Sequence, residues 1–140
     1  MYTSLFSTCN GYWDLRNNTT PIIGTVSGTV TEAAATLDRF ELAARGYLFD
    51  GTNDKITMGN TAVTIKSLMF WAKLDSTTQS ILKLTDPPHT VTISSGTIAA
   101  TNWPATVVIY VDGAVSSIIN DANWHCICIT TSGTAFSVAN

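Results

Sequence analysis

Charge is scarce in this chain. Asp, Glu, Lys and Arg together make up 12% of its 140 residues, about half the usual share. Only seven side chains are Lys or Arg, they form no cluster, and the net charge is -3. A nucleic-acid surface needs cations gathered along one face, so that class of partner is excluded. Long apolar runs are missing too: no uninterrupted stretch approaches the roughly 18 residues of a membrane helix. The opening "MYTSLFSTCNGYW" has no basic start and no long apolar centre, unlike an ordinary signal peptide. Cysteine occurs as Cys9, Cys126 and Cys128, and an odd number without a secretory signal argues against a disulfide framework. Glutamate is the rarest of the charged residues, with Glu32 and Glu41 alone.

What is present favours strands. Hydrophobic residues are 45% of the chain, mean hydropathy is +0.20, and threonine is the most abundant residue. That is enough apolar material for one core, and β-branched side chains fit a pleated surface better than a helix. Short candidate strands recur every eight to twelve residues: "GYWDL", "IIGTVSGTV", "YLFD", "KITMG", "QSILKL", "TVTIS", "GTIAA", "TVVIYVDGAVSSII", "NWHCICITT" and "AFSVA". "TIKSLMFWAKL" (64–74) is apolar in both registers at its centre, as expected of a strand covered on both faces. Asp112-Gly113, between two apolar runs, is the strongest hairpin signal. "DPPH" is a loop, since neither proline continues a ladder. The exception is "TEAAATLDRFELAARG", which predicts one short helix near residues 32–45. Thr31 would be its N-cap and Gly46 its stop; Leu37, Phe40 and Ala44 keep helical spacing, while Leu42 does not. The expected fold class is therefore an all-β, antiparallel β-sandwich or jelly roll, one domain over residues 1–140.

Four segments carry a resemblance. "LDRFELAARGYLFDGTNDKITMGN" (37–60) looks like the entry to an early hairpin of laminin-G-like, concanavalin A-like domains. "IKSLMFWAKLDSTTQSIL" (65–82) resembles their central strand, "NWHCICIT" (123–130) their Trp-His strand, and "YVDG" (110–113) their terminal hairpin turn. Here the Trp-His strand follows "YVDG" instead of preceding it, an order similar to divergent versions in phage and other viral surface proteins. Such domains commonly finish with one further strand, which this sequence would lack at Asn140. The resemblance thus implies a concanavalin A-like jelly roll missing its last strand, a neighbouring strand edge left open, and a virion setting. The partners it implies are glycans or other virion and surface proteins, in a homo-oligomer or larger assembly. The alternative is a carbohydrate- or protein-binding module of a secreted or cell-surface protein.

Candidate sites follow from residue chemistry. In "YLFDGTNDKITMGN", Asp50, Asn53 and Asp54 fall within five residues around Gly51. Asp and Asn tolerate the left-handed region and bond their own backbone, so a tight turn accounts for them. Calcium is the other reading. It takes six to eight oxygens, toward which Asp50, Asn53 and Asp54 would give three, with Asp112 a further donor if its hairpin lies nearby. No other cofactor is called for. Among aromatics, Trp103 in "TNWPA" is the candidate for an exposed ligand platform, with the alternative of a rim residue capping the core; Tyr12 and Trp13 follow. Trp71 and Trp124 read as core.

Catalysis finds little footing. Glycoside hydrolysis, common among concanavalin A-like folds, needs two carboxylates facing one groove, and no predicted strand carries a spaced pair. There is no Gly-x-Ser-x-Gly, no His-Glu-x-x-His and no phosphate-cradling loop. Cys126 and Cys128, two apart on one strand face with Trp124, read as buried small hydrophobes. His125 faces the other way, as a satisfied core or rim histidine. The expectation is a non-catalytic surface module, structural or recognitive.

Overall fold

The computed structural model describes residues 9–61, 63–75, 78–84 and 88–138. Asp86 and Pro87, read above as loop residues, and Ala139 and Asn140, where the resemblance would place the start of a further strand, lie outside them. The architecture is all-β and largely antiparallel, with no helix among the described residues. It divides into two compact units, Met1–Val63 and Thr64–Asn140.

The first unit is three two-stranded ribbons. β1 (Tyr12–Trp13) pairs with β2 (Pro21–Ile23), β3 (Thr29–Thr31) with β6 (Lys55–Thr57), and β4 (Ala34–Thr36) with β5 (Gly46–Leu48). The helix expected near 32–45 is therefore overturned: Ala34, Ala35 and Thr36 are extended, opposite Leu48, Tyr47 and Gly46. Two local forces defeat the helical pattern. The Asp38 carboxylate accepts the backbone N–H groups of Phe40 (2.8 Å) and Leu42 (3.0 Å), winding residues 38–42 into a turn that competes with helix. Glu32, Glu41 and Ala44 then take positive φ (60°, 61° and 57°), which no right-handed helix contains.

The second unit holds the core. β12 (Val107–Val111), β13 (Ala114–Val115), β14 (Trp124–Thr131) and β8 (Ser67–Lys73) form a four-stranded sheet in the order β13-β12-β14-β8. β9 (Gln79–Lys83), β10 (Thr90–Ser94) and β11 (Thr97–Thr101) form a three-stranded sheet, and β15 (Phe136–Val138) pairs with β7 (Val63–Ile65). Strand alternation sends one set of side chains from each sheet inward. Val91 and Ile93 on β10, Ile98 on β11, and Ile127 and Ile129 on β14 meet in one cluster, none more than 2% exposed. The two sheets thus stack as a sandwich.

β8 departs from its sequence reading. It alternates exposed and half-buried along all seven residues, so Leu68, Phe70 and Ala72 face the core while Met69 and Trp71 face solvent. The apolar character in both registers records one core face and one bare face, not two covered ones. Two two-residue turns fix the hairpins. Asp112-Gly113 (φ 52° and 86°) joins β12 to β13, and Ser95-Gly96 (φ 49° and 77°) joins β10 to β11. Both central residues of each turn are left-handed, the turn whose twist matches paired strands.

Candidate functional site

The Asp/Asn stretch at residues 50–54 behaves as a self-bonded turn. The Asp54 carboxylate accepts the Asp50 N–H (2.8 Å), Asp50 accepts the Thr52 N–H (2.8 Å), and Asn53 donates its amide to Glu32 (2.6 Å). Carboxylate oxygens expected to face a cation are instead turned to local backbone. Asp112 lies in the second unit, engaged by His125. Among the described residues no group of three or more His, Cys, Asp or Glu side chains is placed to hold a metal ion.

The aromatic candidates also separate. Trp103 is only 7% exposed, set edge-on against Phe136 at 5.0 Å, and Phe136 stacks on His89 at 4.2 Å. The exposed-platform reading of Trp103 is overturned: the indole lies in the core cluster, and its N–H finds no hydrogen-bond partner among the described residues. Trp13 and Tyr12 are half-buried on β1, and the Trp13 indole N–H donates to the Val26 carbonyl at 3.0 Å. The tryptophan that does reach solvent is Trp71, at 43%, which the sequence reading placed in the core.

Register explains what surrounds Trp71. Cys126 lies opposite Trp71, Cys128 opposite Met69, and Tyr110 opposite both Cys128 and Val115. These residues share the outer face of the four-stranded sheet, where Met69 is 68% and Val115 73% exposed. The two cysteines are half-exposed members of that face and not buried hydrophobes. Burial, with Cys126 adding to it, pushes the Cys128 thiol above its ordinary value, so it stays a thiol and a poor nucleophile at neutral pH. An antiparallel sheet ordinarily turns polar side chains to water on its open face. This one turns sulfur, aromatic and aliphatic groups.

At one end of β14 stands an ionic cluster that no motif announced. His125 Nδ1 is 2.7 Å from Asp112 Oδ2 and Nε2 is 3.1 Å from Asp121 Oδ1. Asp112 Oδ1 also accepts the Cys126 N–H at 2.9 Å, and Asp121 Oδ1 accepts the Asn123 N–H at 2.8 Å. The hydrogen bond to Asp112 chiefly raises the His125 pKa; burial opposes it and Asp121 adds to it. The same bond, with the Cys126 N–H, lowers Asp112; the Asn123 N–H and then His125 lower Asp121. The histidine is thus a satisfied rim residue. A general base needs a ring nitrogen open to the proton it takes, and both nitrogens here already face carboxylates. Spacing alone could have paired His125 with Asp121, four residues earlier, but only the fold brings Asp112 to the other nitrogen.

No family model, curated protein or solved structure matches this chain.

Proposed function

We propose that this chain is a non-catalytic assembly module that works by packing against further copies of itself, as a structural or attachment unit on a larger surface. One observation carries the reading: among its described residues the first unit buries no apolar side chain. Among its described residues only Thr61, at 8% exposure, is buried, while Ile22, Leu37, Phe40, Leu42, Leu48 and Phe49 are 43–64% exposed. Isolated two-stranded ribbons are marginal in water, and small units without a core need outside support. Covering six large side chains from a half-exposed state removes on the order of 500 Å². With the intervening backbone, that nears the roughly 800 Å² per partner of a standard interface. A repeated surface layer, as the resemblance to viral surface domains suggests, would supply such cover on every copy.

Sedimentation velocity tests this. The protein is expected to associate as concentration rises, and a Phe40→Asp, Leu42→Asp variant is expected to stay monomeric. The core of the second unit should melt unchanged in that variant. A wild-type chain that remains monomeric at high concentration, with its first unit resistant to protease, would end the proposal.

Recognition of a glycan is the second reading, favoured by Trp71 standing exposed on a sheet face, since aromatic rings stack on sugar faces. A Trp71→Ala variant should then lose binding on a glycan array while its melting temperature moves by no more than about 2 °C, because the ring covers little core. Wild-type protein that binds no glycan on the array removes this reading and leaves the first standing.

A further inference from the structure

The segment between β13 and β14 is a strap that ties the two sheets together. Its first residue, Ser116, donates its N–H to Ile109 O of the four-stranded sheet (3.1 Å). The chain then crosses to the edge of the three-stranded sheet. There Ile98 N–H donates to Ser117 O (2.7 Å), Ile118 bridges to Thr97, and Ile119 N–H donates to Gly96 O (2.8 Å). Ile119 sinks into the core at 3% exposure. The far end of the strap is Asp121, and what holds it is His125.

The tie depends on a proton. Ionised carboxylates only accept hydrogen bonds, so bonding to Asp112 and to Asp121 together requires a hydrogen on both ring nitrogens, the imidazolium form. A neutral ring keeps one. It stays on Nδ1, because the Asp112 contact is the shorter (2.7 Å against 3.1 Å) and the Cys126 N–H holds Asp112 in place through its other oxygen. The bare Nε2 lone pair then faces the Asp121 carboxylate, and attraction becomes repulsion. We propose that residues 116–123 form a proton-operated strap: protonated His125 clasps its Asp121 end, and deprotonation lets that end go.

Among the described residues, the charged groups that act on the ring are Asp112 and Asp121. On β14 its neighbours are Trp124 and Cys126. β8 places Ala72 opposite it, and the exposed Lys73 lies across from Trp124 on the outer face. β12 carries no charged side chain, its Tyr110 being on the outer face, β13 carries none, and within the strap Asp121 is the sole ionisable residue. The direction of the pH effect follows. A His125 pKa raised above 6.5 gives a tie fully present below that value and lost as pH rises through the raised one. Asp112 and Asp121, lowered from 3.8, lose the tie at the opposite end, as pH falls through their depressed values. The strap is most firmly closed in the mildly acidic window between.

Amide hydrogen exchange followed by NMR tests the strap, with each rate corrected for its intrinsic pH dependence and the His125 ring titrated in the same samples. Protection of the Ile98 and Ile119 amides is expected to fall about fivefold as pH rises through the His125 midpoint, the upper end of what an ion pair with a half-exposed carboxylate supplies. Amides of β10 should show no such step. In an Asp121→Asn variant the amide can serve either ring form, so the step should vanish while the His125 ring still titrates. Protection that is flat across the His125 midpoint in the wild type, or a step that persists in Asp121→Asn, would overturn the proposal.

Discussion

Truncating Ile127 to alanine is expected to destabilise the second unit by about 3–4 kcal/mol, the upper part of the range for removing a large buried aliphatic. Ile127 is 0% exposed, on the inner face of β14, a strand with partners on both sides. Its side chain belongs to the cluster that joins Val91, Ile93 and Ile98 of the opposite sheet to Ile129 of its own. A cavity there is bounded by two hydrogen-bonded layers, which cannot collapse into it without breaking ladders, so most of the cavity cost remains. Against a typical net stability of roughly 5–15 kcal/mol, that loss is a large fraction. Thermal melting should fall on the order of 10 °C or more. The neighbour Cys126 is the control: it points to the outer face, and Cys126→Ala should move the midpoint only slightly. A drop below about 3 °C for Ile127→Ala would mean that the two sheets do not share this core.

The strand class was legible because period-two patterning survives in the sequence wherever one face is buried. In "NWHCICITT" the alternation separates Ile127, Ile129 and Thr131 from Cys126 and Cys128, but it did not tell that the cysteines, read as buried, lie on the outer face. Asp112-Gly113 likewise predicted its own turn. Where the reading failed, competing local chemistry decided. Residues 32–45 have helix-forming composition, but an aspartate that caps two nearby amides and a ladder to Gly46–Leu48 outweigh propensity. Trp71 and Trp103 exchanged roles for a different reason. Large apolar residues are assigned to the core by default, and only register tells that Trp71 sits with the outward set of β8. The proline after Trp103 suggested an exposed ring, whereas contact with Phe136 draws it inside. The His125 cluster was half legible: Asp121 lies four residues away in sequence, but Asp112 is brought to the ring only by the hairpin turn.

The two glycine turns give the sharpest test of how surroundings set the cost of a side chain. Gly96 and Gly113 occupy the second central position of matching turns, with φ of 77° and 86°. An alanine at either site pays the left-handed penalty of about 1–2 kcal/mol. At Gly113 nothing lies within 4 Å of the added carbon, so that penalty is the whole effect. At Gly96 the new carbon would stand 2.8 Å from the Ile119 carbonyl oxygen, a backbone atom that cannot swing aside like a flexible side chain. Relief requires the strap to lift, which strains the Ile119 to Gly96 and Ile98 to Ser117 hydrogen bonds, each worth about 1 kcal/mol. It also pulls Ile119 from the core. Gly96→Ala should therefore cost about 4 kcal/mol, more than twice Gly113→Ala. Asparagine separates the two causes, since it tolerates positive φ but still carries the extra carbon. Gly113→Asn should be close to neutral, and Gly96→Asn should remain severe. Equal losses at the two glycines, measured by chemical denaturation at one pH, would show that the strap does not press on the β10–β11 turn.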